Sequence, residues 1–434
     1  MGLPATALDA RALIERATEL IDAEDYDLAR NYLAPALIDP YLNHAERSRA
    51  YYFRGYTFNV QDMPVSALRD YNRALEFNPR NSVALVAVGV AHMLGRGTSR
   101  DQVLGYEYFQ QAAALEYVPA YFHIGRALLF GTGVDKNVPE ARQFLEKAAD
   151  DGHVSAMNHL AASYRQFNVA QPQPEIAKAW YDKAVNAGSR QALMYLAYMY
   201  ANGEFSHSGE AQPEQAVDLF QQALDAGLPG AAVNLAHAYL TGEGVARDEK
   251  KAFTLYQLAA QSAQPGSFIG LGHVYEFGIG VAQNLQLAQQ WYERAAEEGS
   301  AQAATRLVSF YLQKADEASH EAAVRWSRLA AQSGDARAQN DYAWLLATSK
   351  FAHLRNGTLA LDAAHKAVAK NPSAPYLDTL AAAYAEVGDF EQAVVTQQRA
   401  IAAIGSHAEN DQQALRNDLE RRLELYRRNQ AWRE

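Results

Sequence analysis

One pattern recurs along the 434-residue chain at intervals of 34 to 39 residues. In seven copies a small residue stands three positions before an aromatic or large residue, and four further copies keep the same register. We call these eleven positions anchors: Ala17, Gly55, Gly89, Gly125, Ala161, Ala197, Ala236, Gly272, Val308, Ala343 and Ala381. A period near 36 residues is typical of stacked helix-turn-helix units, not of independent globules. The sequence therefore predicts an all-α, right-handed superhelical solenoid of about eleven repeats.

Each repeat carries the marks of two helices joined by a turn. Apolar residues near the anchor, such as Leu235 and Tyr239 near Ala236, fall on one face at helical spacing. A Gly-x-Gly-Val turn follows in several repeats, and glycine supplies the positive φ that ends a helix. Residues suited to cap the second helix come next; they are Asp101, Asn137, Asp248 and Asn284.

These motifs carry a family resemblance. Residues 84–335 resemble Sel1-like repeats, whose pattern is small-x-x-Tyr, Gly-x-Gly-Val, Lys-Ala-x-x-Trp-Tyr-x-x-Ala-Ala and a closing glycine; residues 270–300 follow nearly all of it. The repeats at each end resemble ordinary tetratricopeptide repeats, as shown by Tyr51, Gly55, Phe58, Ala67, Tyr71, Ala74 and Pro79. The resemblance implies tetratricopeptide-like repeats at 1–80, Sel1-like repeats at 81–335, further tetratricopeptide-like repeats at 336–409 and a capping helix at 410–434.

Three turns depart from the family pattern, at 166–174, 203–213 and 313–319. We interpret them as drift in tolerant turns, with binding elaborations as the alternative.

The capping helix is predicted because the last repeat of a solenoid would otherwise expose a core face. Its apolar stripe is Leu415, Leu419, Leu423 and Tyr426. Its arginines are Arg421, Arg422, Arg427 and Arg428. We expect these arginines to form a solvated surface, with a partner-binding patch as the alternative.

The sequence offers no catalytic group, metal site or cofactor site. The chain has no cysteine, and the motifs of zinc proteases, serine hydrolases, P-loop nucleotide binding and EF-hands are missing. Histidines recur at related positions of different repeats, about 10 Å apart by helix diameter, which is too far for one zinc ion.

Nucleic acid and membrane partners are also disfavoured. A formal net charge of −11 argues against a general nucleic-acid binder. No apolar run reaches the roughly 20 residues that cross a bilayer, so no direct membrane insertion is expected. The N-terminus lacks a secretory signal, which fits either a cytoplasmic protein or one whose leader was replaced. The family resemblance favours the periplasm, and the oligomeric state is left open.

The candidate binding surface lies on the first helices. Tetratricopeptide families bind ligands with positions −3, −2, +1 and +4 from the anchor, and −3, +1 and +4 share one helical stripe. We call the residues at these positions the inner-face stripe. Its candidate residues are Tyr52, Tyr56, Asn59, Phe122, His123, Arg126, Asn158, His159, Arg165, Tyr195, Tyr198, Asn234, His237, His273, Glu276, Asn340 and Trp344.

Aromatic, amide and imidazole groups dominate this stripe. Amides can pair with a peptide backbone, and Tyr, Trp and Arg are frequent interface hot spots. We therefore predict a non-catalytic scaffold for protein or peptide partners, with an assembly or signalling role at the bacterial envelope implied by the resemblance. The alternatives are that some of these side chains pack into the next repeat, or that the protein binds periplasmic glycans or peptidoglycan peptides.

Overall fold

A computed structural model describes residues 9–165, 172–205, 209–404 and 410–434 of the chain. Over these residues the secondary structure consists of 23 α-helices and one short 3-10 helix at Ala352–Leu354, without a strand. None of these helices is both long and apolar enough to cross a bilayer. The chain forms two compact units that divide between Ala226 and Gly227.

The described residues of the first unit form twelve helices. They are α1 (Ala10–Asp22), α2 (Tyr26–Ile38), α3 (His44–Val60), α4 (Pro64–Phe77), α5 (Ser82–Leu94), α6 (Gln102–Ala113), α7 (Val118–Phe130), α8 (Val138–Asp150), α9 (Val154–Arg165), α10 (Pro174–Asn186), α11 (Arg190–Ala201) and α12 (Pro213–Asp225).

The described residues of the second unit form eleven. They are α13 (Ala231–Thr241), α14 (Glu249–Gln261), α15 (Pro265–Phe277), α16 (Leu285–Glu297), α17 (Ala301–Leu312), α18 (Glu317–Ala331), α19 (Ala336–Thr348), α20 (Gly357–Lys370), α21 (Ala374–Glu386), α22 (Phe390–Ala403) and α23 (Asn410–Arg427).

All eleven anchors lie on odd-numbered helices, α1 to α21, one in each. Each odd-numbered helix packs closely against the even-numbered helix that follows it. The prediction of an all-α solenoid built from helix pairs is therefore confirmed. We call the odd-numbered helices up to α21 the first helices and their partners, α2 to α22, the second helices.

The anchors are small because a large side chain of the second helix lies directly on them. A Cβ atom added at Gly55 would lie 2.7 Å from the ring of Tyr71, and one at Gly272 would lie 2.5 Å from the ring of Tyr292. These close contacts bring the two helices of a repeat together and bury the rings.

The predicted turns and caps form as expected. Gly131 ends α7 in the left-handed region, with φ of 71°. The second glycine of that turn, Gly133, lies against the backbone carbonyl of Gln102 at the start of the preceding repeat's second helix, where no side chain would fit. All four predicted caps accept a backbone N–H in the first turn of their helix. The Gly-x-Gly turn therefore both ends a helix and docks one repeat on the one before it.

First helices also touch one another within each unit. The pairs are α1 with α3 and α7 with α9 in the first unit, and α13 with α15 and α19 with α21 in the second. Second helices of the described chain make no comparably close pairs. First helices therefore form the tighter, inner layer, and their side chains that avoid the second helices line its inner face.

Among the three irregular turns, residues 166–171 and 206–208 lie outside the described residues. The turn after α17 is short, and Asp316 caps α18 by accepting the N–H of Ser319.

The capping helix α23 packs on α22, and its apolar stripe is buried as predicted at Leu419, Leu423 and Tyr426. The expectation that Arg422 belongs to a solvated surface is wrong, because this residue is only 8% exposed. Its guanidinium forms an ion pair with Asp378 of α21 and so links the capping helix to the last repeat.

Candidate partner-binding surface

Three predicted residues of α3 line one cavity. Tyr52, Tyr56 and Asn59 stand at −3, +1 and +4 from Gly55 and face a cavity of about 260 Å³ between α3 and α5. The apolar wall comes from α4 and α5, and the other polar lining groups are Tyr71, Arg96 and Tyr117.

Burial controls the chemistry of this cavity. It raises the pKa of Tyr52 to about 12, and it also raises the pKa of Tyr71 and Tyr117. The three hydroxyls therefore stay protonated at neutral pH and can donate as well as accept a hydrogen bond. Arg96 is the cation at the cavity, and its guanidinium lies 2.8 Å from the exposed carboxylate of Asp62.

A second group of predicted residues gathers around Phe122 on α7. Its buried ring stacks on His153 at 4.6 Å between ring centroids and meets His123 and His159 edge-on at 5.3 Å. The guanidinium of Arg126 covers the same ring at 5.8 Å. This arrangement is a packed cluster of rings with a cationic rim.

The imidazoles of this cluster are neutral at pH 7. Burial, helped by the positive charge of Arg126, lowers the pKa of His123 to about 4. Burial also lowers the pKa of His153 and of His159. The histidines therefore act here as polar aromatic rings.

Two other predicted residues of the first unit bind groups of the next repeat. The side-chain amide of Asn158 donates to the hydroxyl of Ser189 at 2.9 Å, and its carbonyl oxygen is buried without a hydrogen-bond partner among the described residues. Arg165 forms a bidentate ion pair with Glu204, with N–O distances of 2.5 and 2.7 Å. Such an ion pair fixes the guanidinium in place.

The tyrosines of α11 differ from each other. Tyr195 packs on the ring of Tyr181 with centroids 5.2 Å apart. Tyr198 is exposed and meets Phe220 edge-on. Tyr195 therefore packs on the second helix of the preceding repeat and not on the next one, while Tyr198 keeps part of its ring exposed.

In the second unit, Asn234 donates to the carbonyl of Gly230 at 3.4 Å, and His237 is exposed. His273 is half-buried against the ring of Phe277, and its pKa is lowered by burial. Glu276 accepts the hydroxyl of Tyr292 at 2.7 Å.

The last two predicted residues, Asn340 and Trp344, lie on α19. The amide oxygen of Asn340 is buried and accepts no hydrogen bond from the part of the chain that the structure describes. The indole N–H of Trp344 donates to the Glu434 carboxylate at 3.0 Å. The guanidinium of Arg422 lies over the indole ring, 5.4 Å from its centroid. Trp344 is therefore already covered by groups from the far end of the chain.

Residues 428–434 form a strap on the inner face of α19 and α21, and 430–434 run without helical structure. The backbone N–H of Glu434 donates to the carbonyl of Thr348 at 2.9 Å. Arg433 donates to the carbonyl of Ala347 at 3.3 Å and pairs with Glu386 at 2.6 Å. A segment without regular secondary structure thus contacts first helices through both its backbone and its side chains.

Within the described part of the chain, one group of side chains has the composition of a metal site. Glu317, Glu321 and His353 place one potential ligand atom each within 4.8 Å of the others, and all three are exposed. Each imidazole nitrogen faces one carboxylate, at 3.4 and 3.2 Å, as in a pair of ion contacts. None of the predicted stripe histidines belongs to this group.

Sequence reasoning missed Tyr71, Arg96, Tyr117 and Asp378. Asp378 stands at the −3 position of the last repeat, so extending the register by one repeat would have found it. Arg96 lies in a turn, and no register position of the first helix points to it.

The Sel1 repeat family matches seven segments, which together make up more than half of the chain: 82–117, 118–153, 154–189, 190–228, 229–263, 269–300 and 310–335. Chitin synthase regulatory factor 2 of Schizosaccharomyces pombe is 29% identical over 132 residues, which are 28% of this chain and 25% of that protein. The chain thus matches only about a quarter of the length of this relative.

The chain is also similar to solved structures. A protective antigen of uropathogenic Escherichia coli with an SLR fold is 25% identical with a TM-score of 0.55, covering 97% of this chain and 90% of its own. A Sel1 repeat protein from Oxalobacter formigenes is 23% identical with a TM-score of 0.48, covering 56% and 98%. The repeated pattern, the helix pairs and the seven matched segments agree: this chain belongs to the Sel1 repeat family.

Proposed function

We propose that this protein is a non-catalytic scaffold that binds extended segments of partner proteins on the inner face of its first helices. Sel1 repeat proteins are generally protein-interaction scaffolds, and a repeat scaffold fits protein partners. Beyond this general role, the proposal names the surface that binds, the inner face, and the conformation of the bound segment, an extended one.

The strap carries this proposal. Residues 430–434 contact α19 and α21 without helical structure, with a backbone hydrogen bond to Thr348 and the Glu434 carboxylate on the indole of Trp344. A peptide from a partner would use the same kinds of contact, because a helical inner face offers side chains and free terminal carbonyls but no strand edge. Rigid repeats lower the ordering cost of such binding.

Exposed aromatic side chains at the same register position in other repeats support peptide binding there as well. Tyr56 is 36% exposed and Tyr198 is 38% exposed, both at the +1 position that Trp344 occupies in its repeat. Large aromatic side chains on an accessible face are typical of binding hot spots. An assembly or signalling role at the bacterial envelope is the further expectation that the family resemblance carries.

The test compares two variants in a binding assay. The inner-face variant combines Tyr56→Ala, Arg126→Ala and His237→Ala. The control variant combines Val65→Ala, Val103→Ala and Leu258→Ala, which are exposed apolar positions on second helices. Partners captured from an extract are purified and titrated against both variants and the unchanged protein.

We expect the inner-face variant to bind at least tenfold more weakly and the control variant to bind normally, with equal helical content by circular dichroism. Equal binding by all three proteins contradicts the proposal. Retention of cell-wall glycan in place of protein contradicts it as well. Turnover that survives purification and is lost with one substitution contradicts the non-catalytic assignment.

A further inference from the structure

We propose that the cavity between α3 and α5 is an anchor site for a partner peptide that presents an aromatic side chain beside a carboxylate. This inference rests on the proposed function, because it assigns a preferred ligand chemistry to one part of the inner face.

The size of the cavity suits one large side chain. Its volume of about 260 Å³ lies just under the roughly 300–1,000 Å³ of pockets that hold whole small molecules. Its wall includes Leu68, Val86 and Val90, so an inserted ring loses contact with water on an apolar surface. Because Tyr56 at the rim is 36% exposed, the cavity is accessible from the inner face.

The polar groups of the cavity can form hydrogen bonds with the backbone of an incoming peptide. The hydroxyls of Tyr52, Tyr56, Tyr71 and Tyr117 make no hydrogen bond to any residue the structure describes. An incoming peptide therefore finds donors and acceptors that need not first break an internal bond. The surrounding rings add aromatic contacts of the edge-on or offset kind.

The positive charge of Arg96 favours a carboxylate next to the aromatic ring of the ligand. Among the described residues that line the cavity, Arg96 carries a positive charge and none is acidic. The contact of Arg96 with Asp62 is between exposed groups, since Asp62 is 88% exposed. Exposed ion pairs contribute only about 0–1 kcal/mol, so a carboxylate of the ligand can replace Asp62 at small cost.

The second unit shows the same chemistry at an equivalent position. Trp344 stands at +1 from Ala343, as Tyr56 stands at +1 from Gly55. The carboxylate that Trp344 binds belongs to Glu434, two residues after the ring of Trp432. The second unit thus gives an example of a carboxylate bound at the aromatic +1 residue of a first helix.

The test uses ten-residue Gly/Ser peptides with one Phe-Asp, Phe-Asn or Ala-Asp pair, all amidated, and one peptide ending in a free Phe carboxylate. Affinities are measured by calorimetry with the full chain. We expect the Phe-Asp peptide to bind at least about fivefold more tightly than the Phe-Asn and Ala-Asp peptides. Comparison with the peptide ending in free Phe distinguishes a side-chain carboxylate from a terminal one.

Two variants locate the binding. Ala87→Phe fills the cavity from its wall and is expected to abolish binding of all ring-bearing peptides. Arg96→Gln is expected to weaken the Phe-Asp peptide about three- to tenfold, as for loss of one charge-assisted contact, and to leave the Phe-Asn peptide unchanged. Arg73→Gln is the matched control, because Arg73 also forms an exposed ion pair but lies on α4 beside Glu76.

Three results overturn the inference: equal affinity for Phe-Asp and Ala-Asp peptides, undiminished binding to Ala87→Phe, or an equal effect of Arg96→Gln and Arg73→Gln. Arg96 is partly exposed, so its variant tests the charge even if Ala87→Phe alters the fold. If partner proteins lose affinity for the inner-face variant yet bind Ala87→Phe normally, the cavity assignment fails and the proposed function stands. If the inner-face variant also binds normally, both fail.

Discussion

Arg422 of the capping helix α23 and Asp378 of α21 form a buried ion pair. Arg422 Nη2 lies 2.9 Å from Asp378 Oδ2, and Arg422 Nε donates to Asp378 Oδ1 at 3.0 Å. Gln397 of α22 donates to the same carboxylate at 2.8 Å. One carboxylate at the −3 position thus joins α21, α22 and α23.

Removal of one partner should therefore loosen the cap. Arg422→Met leaves the Asp378 carboxylate buried without its cation, which typically costs about 3–5 kcal/mol. We expect loss of amide protection in α21 to α23, measured by hydrogen exchange, and a lower unfolding midpoint in urea. Arg427→Met is the matched control, because Arg427 forms an exposed pair with Glu424 on the same helix.

The double variant Asp378→Leu, Arg422→Met should recover part of the loss, because an apolar pair of similar volume is often as stable as a buried ion pair. If Arg422→Met costs no more than Arg427→Met, the ion pair does not hold the cap.

The close contact between Gly272 and Tyr292 makes a second prediction. An alanine in a helix interior usually stabilises the helix by about 1 kcal/mol relative to glycine. At Gly272 the added Cβ would lie 2.5 Å from the ring of Tyr292, which is 1% exposed and tied to Glu276. We expect Gly272→Ala to destabilise the second unit by about 1–3 kcal/mol in urea unfolding.

A double-mutant cycle isolates this contact. In a Tyr292→Ala background the ring is gone, so Gly272→Ala should be neutral or stabilising. A loss of the same size in both backgrounds would assign the effect to something other than the ring.

Much of the fold can be predicted from local sequence pattern. Whether the side chains of the binding surface already have partners within the chain cannot. Anchors such as Gly55 and caps such as Asp101 were predictable, because helix packing and capping depend on residues a few positions apart. Arg165 and Trp344 lie on first helices, while their use in partner binding stays a prediction. Their partners, Glu204 and Glu434, come from segments 39 and 90 residues away.

Periodicity therefore locates side chains on a face but cannot say which of them are already occupied. The misplaced Arg422 has the same cause, since its partner lies 44 residues earlier in the chain. The assignment of the outer repeats to the tetratricopeptide type stays a prediction.

A comparison of two glycines separates the contact that Gly133 makes between repeats from the effect of its positive φ. Gly133 and Gly152 both have positive φ, 74° and 87°. A Cβ at Gly152 would meet no atom of the described residues within 4 Å, whereas one at Gly133 would overlap the carbonyl of Gln102. Both alanine variants carry the left-handed strain of about 1–2 kcal/mol.

We expect Gly133→Ala to lower the free energy of unfolding by about 1–3 kcal/mol more than Gly152→Ala, because only the Gly133 variant must push two repeats apart. Hydrogen exchange should show the extra loss at the start of α6 and in the turn after α7. Equal costs for the two variants would mean that the turn does not dock the repeats.

The histidine cluster around Phe122 should make the first unit sensitive to acid. The pKa of His123 is lowered to about 4 by burial and by Arg126 and His153, whereas an unfolded histidine titrates near pH 6.5. Between these values the unfolded chain binds more protons than the folded chain. The free energy of unfolding should therefore fall as pH falls from about 6.5 to 4, by about 3 kcal/mol for this residue.

The variant His123→Phe keeps a ring stacked on Phe109, where the native centroids are 4.7 Å apart, and removes the titration. We expect it to be close to the unchanged protein at about pH 7 and clearly more stable relative to it at about pH 4.5, by urea unfolding at both values. His237→Phe is the control, because His237 is exposed on α13. If His123→Phe leaves the acid sensitivity as large as His237→Phe does, protonation of this imidazole is not what destabilises the unit.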